Sequence, residues 1–541
     1  MKKLLALGMA LLMSTTAIGT ATAQAINENP LSDPRVRQAI AYAIDMDTII
    51  ETIFEGKAVR AVGLLPDGPN KPDDLNRYDF DPDKARALLA EAGWNADQEL
   101  DVVYYYADQQ TADLMAAMQA YLADVGMKMN YRILEGDVGA QISVPPADPV
   151  NGPSTFKWDI LYGARAALAL QEYFNRFGYG LMPTIPNVPE MNELVKKVNG
   201  STDPAVQREG YFAMEHIIND KAYIIPLYYQ QLFSYDSDRL DRHGAPYGNE
   251  QYNYNWGVEN WTVTPDADGK SVLYTNAGPA QFFEVPWQNL GIWVHNKFAF
   301  DTILEADGAL TPIGGEMAET YSVSEDGLTF TFTLKDGLTW HDGEPITAAD
   351  VVFSIGAALK FPITNPVLAA TLKKIEGAED FVAGTADAVS GITTEGNTVT
   401  LKFASIDPNV LLSFSQFAPL PAKYFEGVDP LNLQQAPFWQ KPIGSGPFKI
   451  EEVVMNDYTT LVPFEGYHKG TAKIEQIIAR PSGDNDGNLL VNATAGKADF
   501  GYTKVASDVP ALEALDFMNV HAVDIPYTRM IWINQFPKPA N

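Results

Sequence analysis

The side chains that most often carry chemistry are scattered in this chain. Its six histidines, His216, His243, His295, His341, His468 and His521, fall at no short metal-binding spacing, and the chain contains no cysteine. A thiolate zinc site, an iron–sulfur centre, a disulfide and a cysteine nucleophile are therefore excluded. His341, in Trp340-His341-Asp342-Gly343, reads as a turn residue. Gly444-Ser445-Gly446-Pro447 lacks the Gly-Lys-Ser/Thr ending of a phosphate loop, and Pro447 removes a backbone donor. Ser445 also lacks the Gly-x-Ser-x-Gly setting of a hydrolase nucleophile. With 69 Asp and Glu residues, spacing alone singles out no acid and nucleophile pair. No catalytic residue, metal ligand or cofactor is assigned. What the chain does hold is flat aromatic surface, 9 Trp and 25 Tyr, which can cover the apolar face of a sugar while amides and carboxylates bind its hydroxyls.

These groups must be positioned by a large fold. The chain has 541 residues, 46% of them hydrophobic, enough for two or three domains. Its net charge of −31 would repel a phosphate backbone, which argues against nucleic acid as a partner. Lys2 and Lys3, the mostly apolar run Leu4 to Ala21 and the small residues up to Ala25 make a secretory signal peptide, cleaved after Ala23 or Ala25. The run is short and broken by Ser14, Thr15, Thr16 and Gly19, which argues against a membrane anchor. No later run reads as a membrane span.

Periodicity then predicts helices over 35–50, 82–92, 111–125, 192–197 and 203–219, and strands over 100–106, 128–133, 158–162 and 222–229. Alternating strands and helices argue for a partly parallel sheet covered by helices. Pro265 to Lys270 is a polar turn and the best internal boundary. Beyond it the texture changes: Thr329 to Leu334 alternates as a half-buried strand, Thr347 to Ile355 is helical, and 391–403 and 446–463 read as hairpins.

Several segments together carry a signature. Gly327-Leu328-Thr329-Phe330 leading to Trp340-His341-Asp342-Gly343, Gly444-Ser445-Gly446-Pro447-Phe448, Leu31-Ser32-Asp33-Pro34-Arg35-Val36-Arg37, Asp81-Pro82-Asp83-Lys84-Ala85 and Ile225-Pro226-Leu227-Tyr228 resemble the extracellular solute-binding proteins of the peptide and nickel transporter family. The resemblance implies an α/β, two-lobed periplasmic binding protein of type II, large and cluster C-like, with three domains. It implies a non-enzymatic protein, expected to be monomeric in the periplasm, which closes on a solute and presents it to the membrane permease subunits of an ABC importer.

The order of the segments is unusual for that family. The Gly-Leu-Thr-Phe and His-Asp-Gly segments usually come early and the Asp-Pro-Arg-Val-Arg segment late, so the chain is expected to be circularly permuted, its usual termini joined near 265–270. The expected domains are a signal peptide (1–25), a ligand-binding lobe (26–219), part of the first lobe containing the joining linker (220–294), a smaller accessory domain (295–435), and the rest of the first lobe with the hinge strands (436–541).

Peptide-binding members place an acidic residue a few positions after the strand that corresponds to Trp158–Tyr162. Here the sequence runs Gly163-Ala164-Arg165-Ala166-Ala167-Leu168-Ala169-Leu170, without a carboxylate. A buried ammonium group needs such a partner, so a small oligosaccharide or related polar solute is the expected ligand, with short peptides or amino-acid conjugates as the alternative. Nickel would need ligands drawn from distant positions or a carried chelator. The candidate contacts are Trp287, Gln288, Asn289, Trp293, Tyr162 and Arg165, each also open to a role in the core, on a lobe surface or in a salt bridge. Arg165 suits hydroxyls or a ligand carboxylate.

Overall fold

A computed structural model describes residues 29–247, 256–266, 268–276, 285–287, 294–307, 310–454, 457–480 and 487–539. Its frame is an 11-stranded mixed sheet held together by two long antiparallel strands, Ile224–Ser237 and Met518–Ile533. Each end of this pair takes on different neighbouring strands. Tyr527 to Ile533 pair with Ala166 to Ile160, next to the parallel strands Glu99–Tyr104 and Lys128–Ile133. At the other end, Phe233 to Asp236 pair with the strand Phe500–Thr503, which leads to Val272–Asn276 and Gln476–Arg480.

Between these halves the register slips from Asp524 to Thr528. Pro526 lies in the slip, where a residue without an N–H costs no ladder bond. A second slip, between Arg529 and Met530, lies opposite Pro226. The two prolines thus place irregularities in the long strands that join the two halves of the sheet.

Local rules account for most helices. Asp33, Asp81, Asp108 and Asp203 cap Pro34–Ala43, Pro82–Ala92, Gln109–Asp124 and Pro204–Lys221, each accepting a first-turn N–H, and Gly93 ends the second at φ 70°. The helix expected over 35–50 is two helices, because Ile44 is extended and Asp45 caps a new start by accepting from the Thr48 N–H. The strand expected over 222–229 runs on to Ser237, and the one expected to begin at Trp158 begins at Ile160.

Helices of the first half cover one face of the sheet around Leu100, Leu114, Met118 and Ile160. A larger core runs from Leu232 to Ile525 and joins the strands around Leu273 to the four-stranded sheet containing Thr329–Leu334 and its helix Ala348–Lys360.

The buried helix residue Glu215 accepts the N–H groups of Leu64 (3.0 Å) and Leu65 (2.6 Å). Burial pushes its carboxyl from the ordinary 4.5 up to about 7. The folded state therefore holds this proton more tightly than the unfolded state, and stability falls as pH rises from about 4.5 to about 7. The contribution is about 3 kcal/mol. In urea unfolding across that window, Glu215→Gln is expected to flatten the slope, and an unchanged slope would show that Glu215 is not the group responsible.

Candidate functional site

The crossing strands form the floor of a cavity with about 940 Å³ of empty space. Phe54, Tyr106 and Asp108 line it from the first half of the chain, Lys504 to Ser507 from the second, and Tyr228, Gln230, Tyr527 and Arg529 from the floor. Arg529 follows from the local pairing: opposite Tyr228 on one side and Ala164 on the other, its side chain is carried into the cavity and left only 9% exposed. Its Nε donates to Gln230 Oε1 at 2.7 Å, and its guanidinium carbon lies 3.8 Å from the centre of the Tyr106 ring. Its Nη1 is buried without a hydrogen-bond partner.

The surrounding phenols do not neutralise it. Burial pushes the hydroxyls of Tyr106, Tyr162 and Tyr228 up from their ordinary range, so they stay protonated near neutral pH. A guanidinium keeps its charge in such a setting. A buried cation with a free donor is a receptor for an anion. Asp108 brings a carboxylate to the same cavity while capping its helix, with Oδ1 accepting from Thr111 N at 2.8 Å.

The segment after Ile160–Ala166 packs against residues of the second half of the chain. Leu168 and Ala169 pack with Ala306, Leu310, Val367 and Leu412. Glu172 lies two residues beyond the carboxylate-free stretch Gly163 to Leu170, and its sequence position was the available signal. It is turned onto its own loop: Oε2 accepts from Leu168 N (2.6 Å) and Ala169 N (3.3 Å), and burial raises its pKa.

The candidate residues separate in space. Tyr162 is fully buried, and its hydroxyl pairs with that of Tyr228 at 2.9 Å, so it supports the cavity from behind. Arg165 lines a different cavity, together with Arg176. Trp287 lies in the core, not in the cleft: its Nε1 donates to Ala418 O at 3.0 Å and its ring packs between Phe361 and Phe417. The apolar neighbours that bury it leave no ring face for stacking on a ligand. Gln288, Asn289 and Trp293 lie outside the described residues. Arg529 was missed because one arginine beside the apolar run Met530 to Ile533 carries no motif.

One group has metal-ligand character: Asp301, Glu316 and His468 bring donor atoms within 4.8 Å of one another. Those donors are engaged. His468 Nε2 meets Asp301 Oδ2 at 3.0 Å, the Lys469 ammonium sits 2.5 Å from Glu316 Oε2, and the Tyr467 hydroxyl donates to both acids. Lys469 already supplies the cation that the carboxylates would attract, so the group does not fit a metal.

A description of bacterial extracellular solute-binding proteins, family 5 Middle, matches residues 5–161 and 313–541. A protein of Brucella ovis named as an ABC transporter peptide-binding protein is 30% identical over 204 residues, 38% of this chain and 36% of that protein. A dipeptide-binding protein of Lactococcus lactis subsp. cremoris is 27% identical over 248 residues, 43% of this chain and 42% of that protein. The chain thus spans less than half the length of these curated relatives. Among solved structures, the oligopeptide-binding protein AppA of Bacillus subtilis, in complex with a nonapeptide, is 20% identical with a TM-score of 0.39, covering 46% of each chain. The named relatives are named for peptides, which overturns the oligosaccharide expectation. Its physical footing also fails at Trp287, whose ring is committed to the core.

Proposed function

Because the chain belongs to the bacterial extracellular solute-binding proteins of family 5, we propose that it captures short peptides or amino-acid conjugates between its lobes and delivers them to the permease subunits of an ABC importer. Members of this family are transport binding proteins that work outside the cytoplasm, not enzymes. We place this one in the periplasm, as a monomer. The observation that carries the peptide reading is Arg529, a buried guanidinium with an unpartnered Nη1 in the cavity between the lobes. It offers a charge-assisted site for a ligand carboxylate, while Asp108 in the same cavity suits an ammonium group. Ligand bridging both lobes favours the closed state by mass action.

Calorimetry with short peptides, each compared with its carboxyl-terminal amide, tests the reading. Binding of the acid at least tenfold tighter than the amide is expected. Equal affinity, or no peptide binding at all, would reject it.

The finer architecture is part of the same proposal: a type II, cluster C-like protein of three domains, with a ligand-binding lobe in 26–219, an accessory domain in 295–435, and the first lobe divided between 220–294 and 436–541. Its halves are in circularly permuted order. Two contacts support that order. Asn29 Nδ2 donates to Asn534 O (2.6 Å) and Phe536 O (2.9 Å), so the segment entering the ligand-binding lobe starts beside the end of the long strand. At the expected join, Asp266 N donates to Lys270 O and Gly269 N to Asp266 O. Permutation at surface connections is tolerated by compact folds. A chain reordered so that 271–541 precedes 26–264 is expected to unfold within a few degrees of this one and to bind the same peptides. Failure to fold would argue that the present order is intrinsic to the protein.

A further inference from the structure

The second cavity on the ligand-binding lobe has chemistry that the peptide reading does not use. It holds about 560 Å³ of space open to solvent and is lined by Arg165, Arg176, Thr184, Ser143, Tyr105 and Trp532, among others. Arg165 comes from the end of the strand Ile160–Ala166 and Arg176 from the short helix Asn175–Gly180. The two cations are close enough that the charge on Arg165 lowers the pKa of Arg176, in addition to the larger effect of burial. Among the described residues, neither has an ion-pair partner. Glu172 feels the charge of Arg165, but its carboxylate is spent on the Leu168 and Ala169 amides.

A third group points the same way. Thr184 is 1% exposed, lines this cavity, and its Oγ1 has no hydrogen-bond partner. Its backbone carbonyl is held by Gln535 N at 2.8 Å, which fixes the residue at the cavity wall. Two like charges brought together at a cavity wall repel each other, and an unsatisfied buried hydroxyl adds to the cost. A single oxyanion between them removes both penalties, taking forked N–H donors from the guanidiniums and a hydroxyl bond from Thr184.

We propose that Arg165, Arg176 and Thr184 form an oxyanion-binding site, distinct from the Arg529 cavity. It is near that cavity: Tyr105 lines one and Tyr106 the other, and their hydroxyls lie 3.3 Å apart. The oxyanion is either a free inorganic anion or an acidic group carried by the peptide ligand, so the second case rests on the peptide reading and the first does not.

The test uses the full chain and two probes. Inorganic phosphate is titrated calorimetrically at fixed ionic strength, and a peptide with a glutamate side chain is compared with its glutamine counterpart. Phosphate binding that weakens at least tenfold in both Arg165→Gln and Arg176→Gln identifies a free-anion site. A glutamate preference of at least tenfold that disappears in both variants, without phosphate binding, identifies a ligand subsite. If phosphate does not bind and the two peptides bind equally, the proposal is overturned, even where peptide binding itself is strong. It is also overturned if every signal seen survives in the variants. Thermal unfolding without anion guards against loss of fold: removing one of two repelling cations is expected to leave the midpoint unchanged or raise it, and Thr184→Val gives an independent, near-isosteric reading of the hydroxyl.

Discussion

Replacing Trp287 with alanine is expected to destabilise the protein by about 3–5 kcal/mol while leaving the peptide affinity of the folded fraction within about twofold. The indole is fully buried in the larger core, where Phe361 meets it edge-on at 5.9 Å and Phe417 stacks at 6.2 Å. Truncation removes its contacts and leaves a cavity that these rings can fill only in part. It also frees the Ala418 carbonyl, which now accepts from Trp287 Nε1. Trp287→Phe separates these effects, retaining most of the ring volume while losing the donor, and should fall between the two. Urea unfolding reads the stability and calorimetry at low temperature reads the binding. A variant of unchanged stability that loses peptide would return Trp287 to the cleft and contradict its burial.

The same residue shows where sequence reading stops. Trp287 follows a strand segment and stands beside Gln288 and Asn289, a pattern equally suited to a binding loop and to a core anchor. Its burial depends on Phe361 and Phe417, residues 74 and 130 positions away, and no local period encodes such distant contacts. Elements governed by near neighbours were legible. Asp81 and Gly93 mark both ends of the helix Pro82–Ala92 through a cap and a left-handed turn, and the alternation in Thr329–Leu334 matches its buried Phe330, Phe332 and Leu334.

The crossing strands were only partly legible. Ile224–Ser237 is buried on both faces for much of its length, so it has an apolar start but no clean alternation to mark its extent. Arg529 was hidden for a related reason. In sequence it stands between Thr528 and the apolar run Met530 to Ile533, and only the pairing with Ile224–Ser237 on one side and Ile160–Ala166 on the other puts it at the cavity floor.

That placement gives Arg529→Met the larger functional effect. The affinity for a peptide with a free carboxylate is expected to fall about 100-fold, equivalent to about 3 kcal/mol, within the range lost when one partner of a desolvated charged pair is removed. The preference for acid over amide should vanish with it, because the amide never had the ionic contact. Stability should hold or rise. The cation has no carboxylate partner among the described residues, and its unpartnered Nη1 means that the side chain carries an uncompensated burial cost that a methionine of similar length does not. Arg529→Lys should recover only part of the affinity, since a single ammonium cannot hold Gln230, cover the Tyr106 ring and present a fork to the ligand together. The pattern separates recognition from architecture. If Arg529 serves mainly to tie the crossing strands together through Gln230, then methionine should lower the unfolding midpoint and weaken acid and amide peptides alike; if it is the carboxylate receptor, only the acid loses affinity and the fold is indifferent.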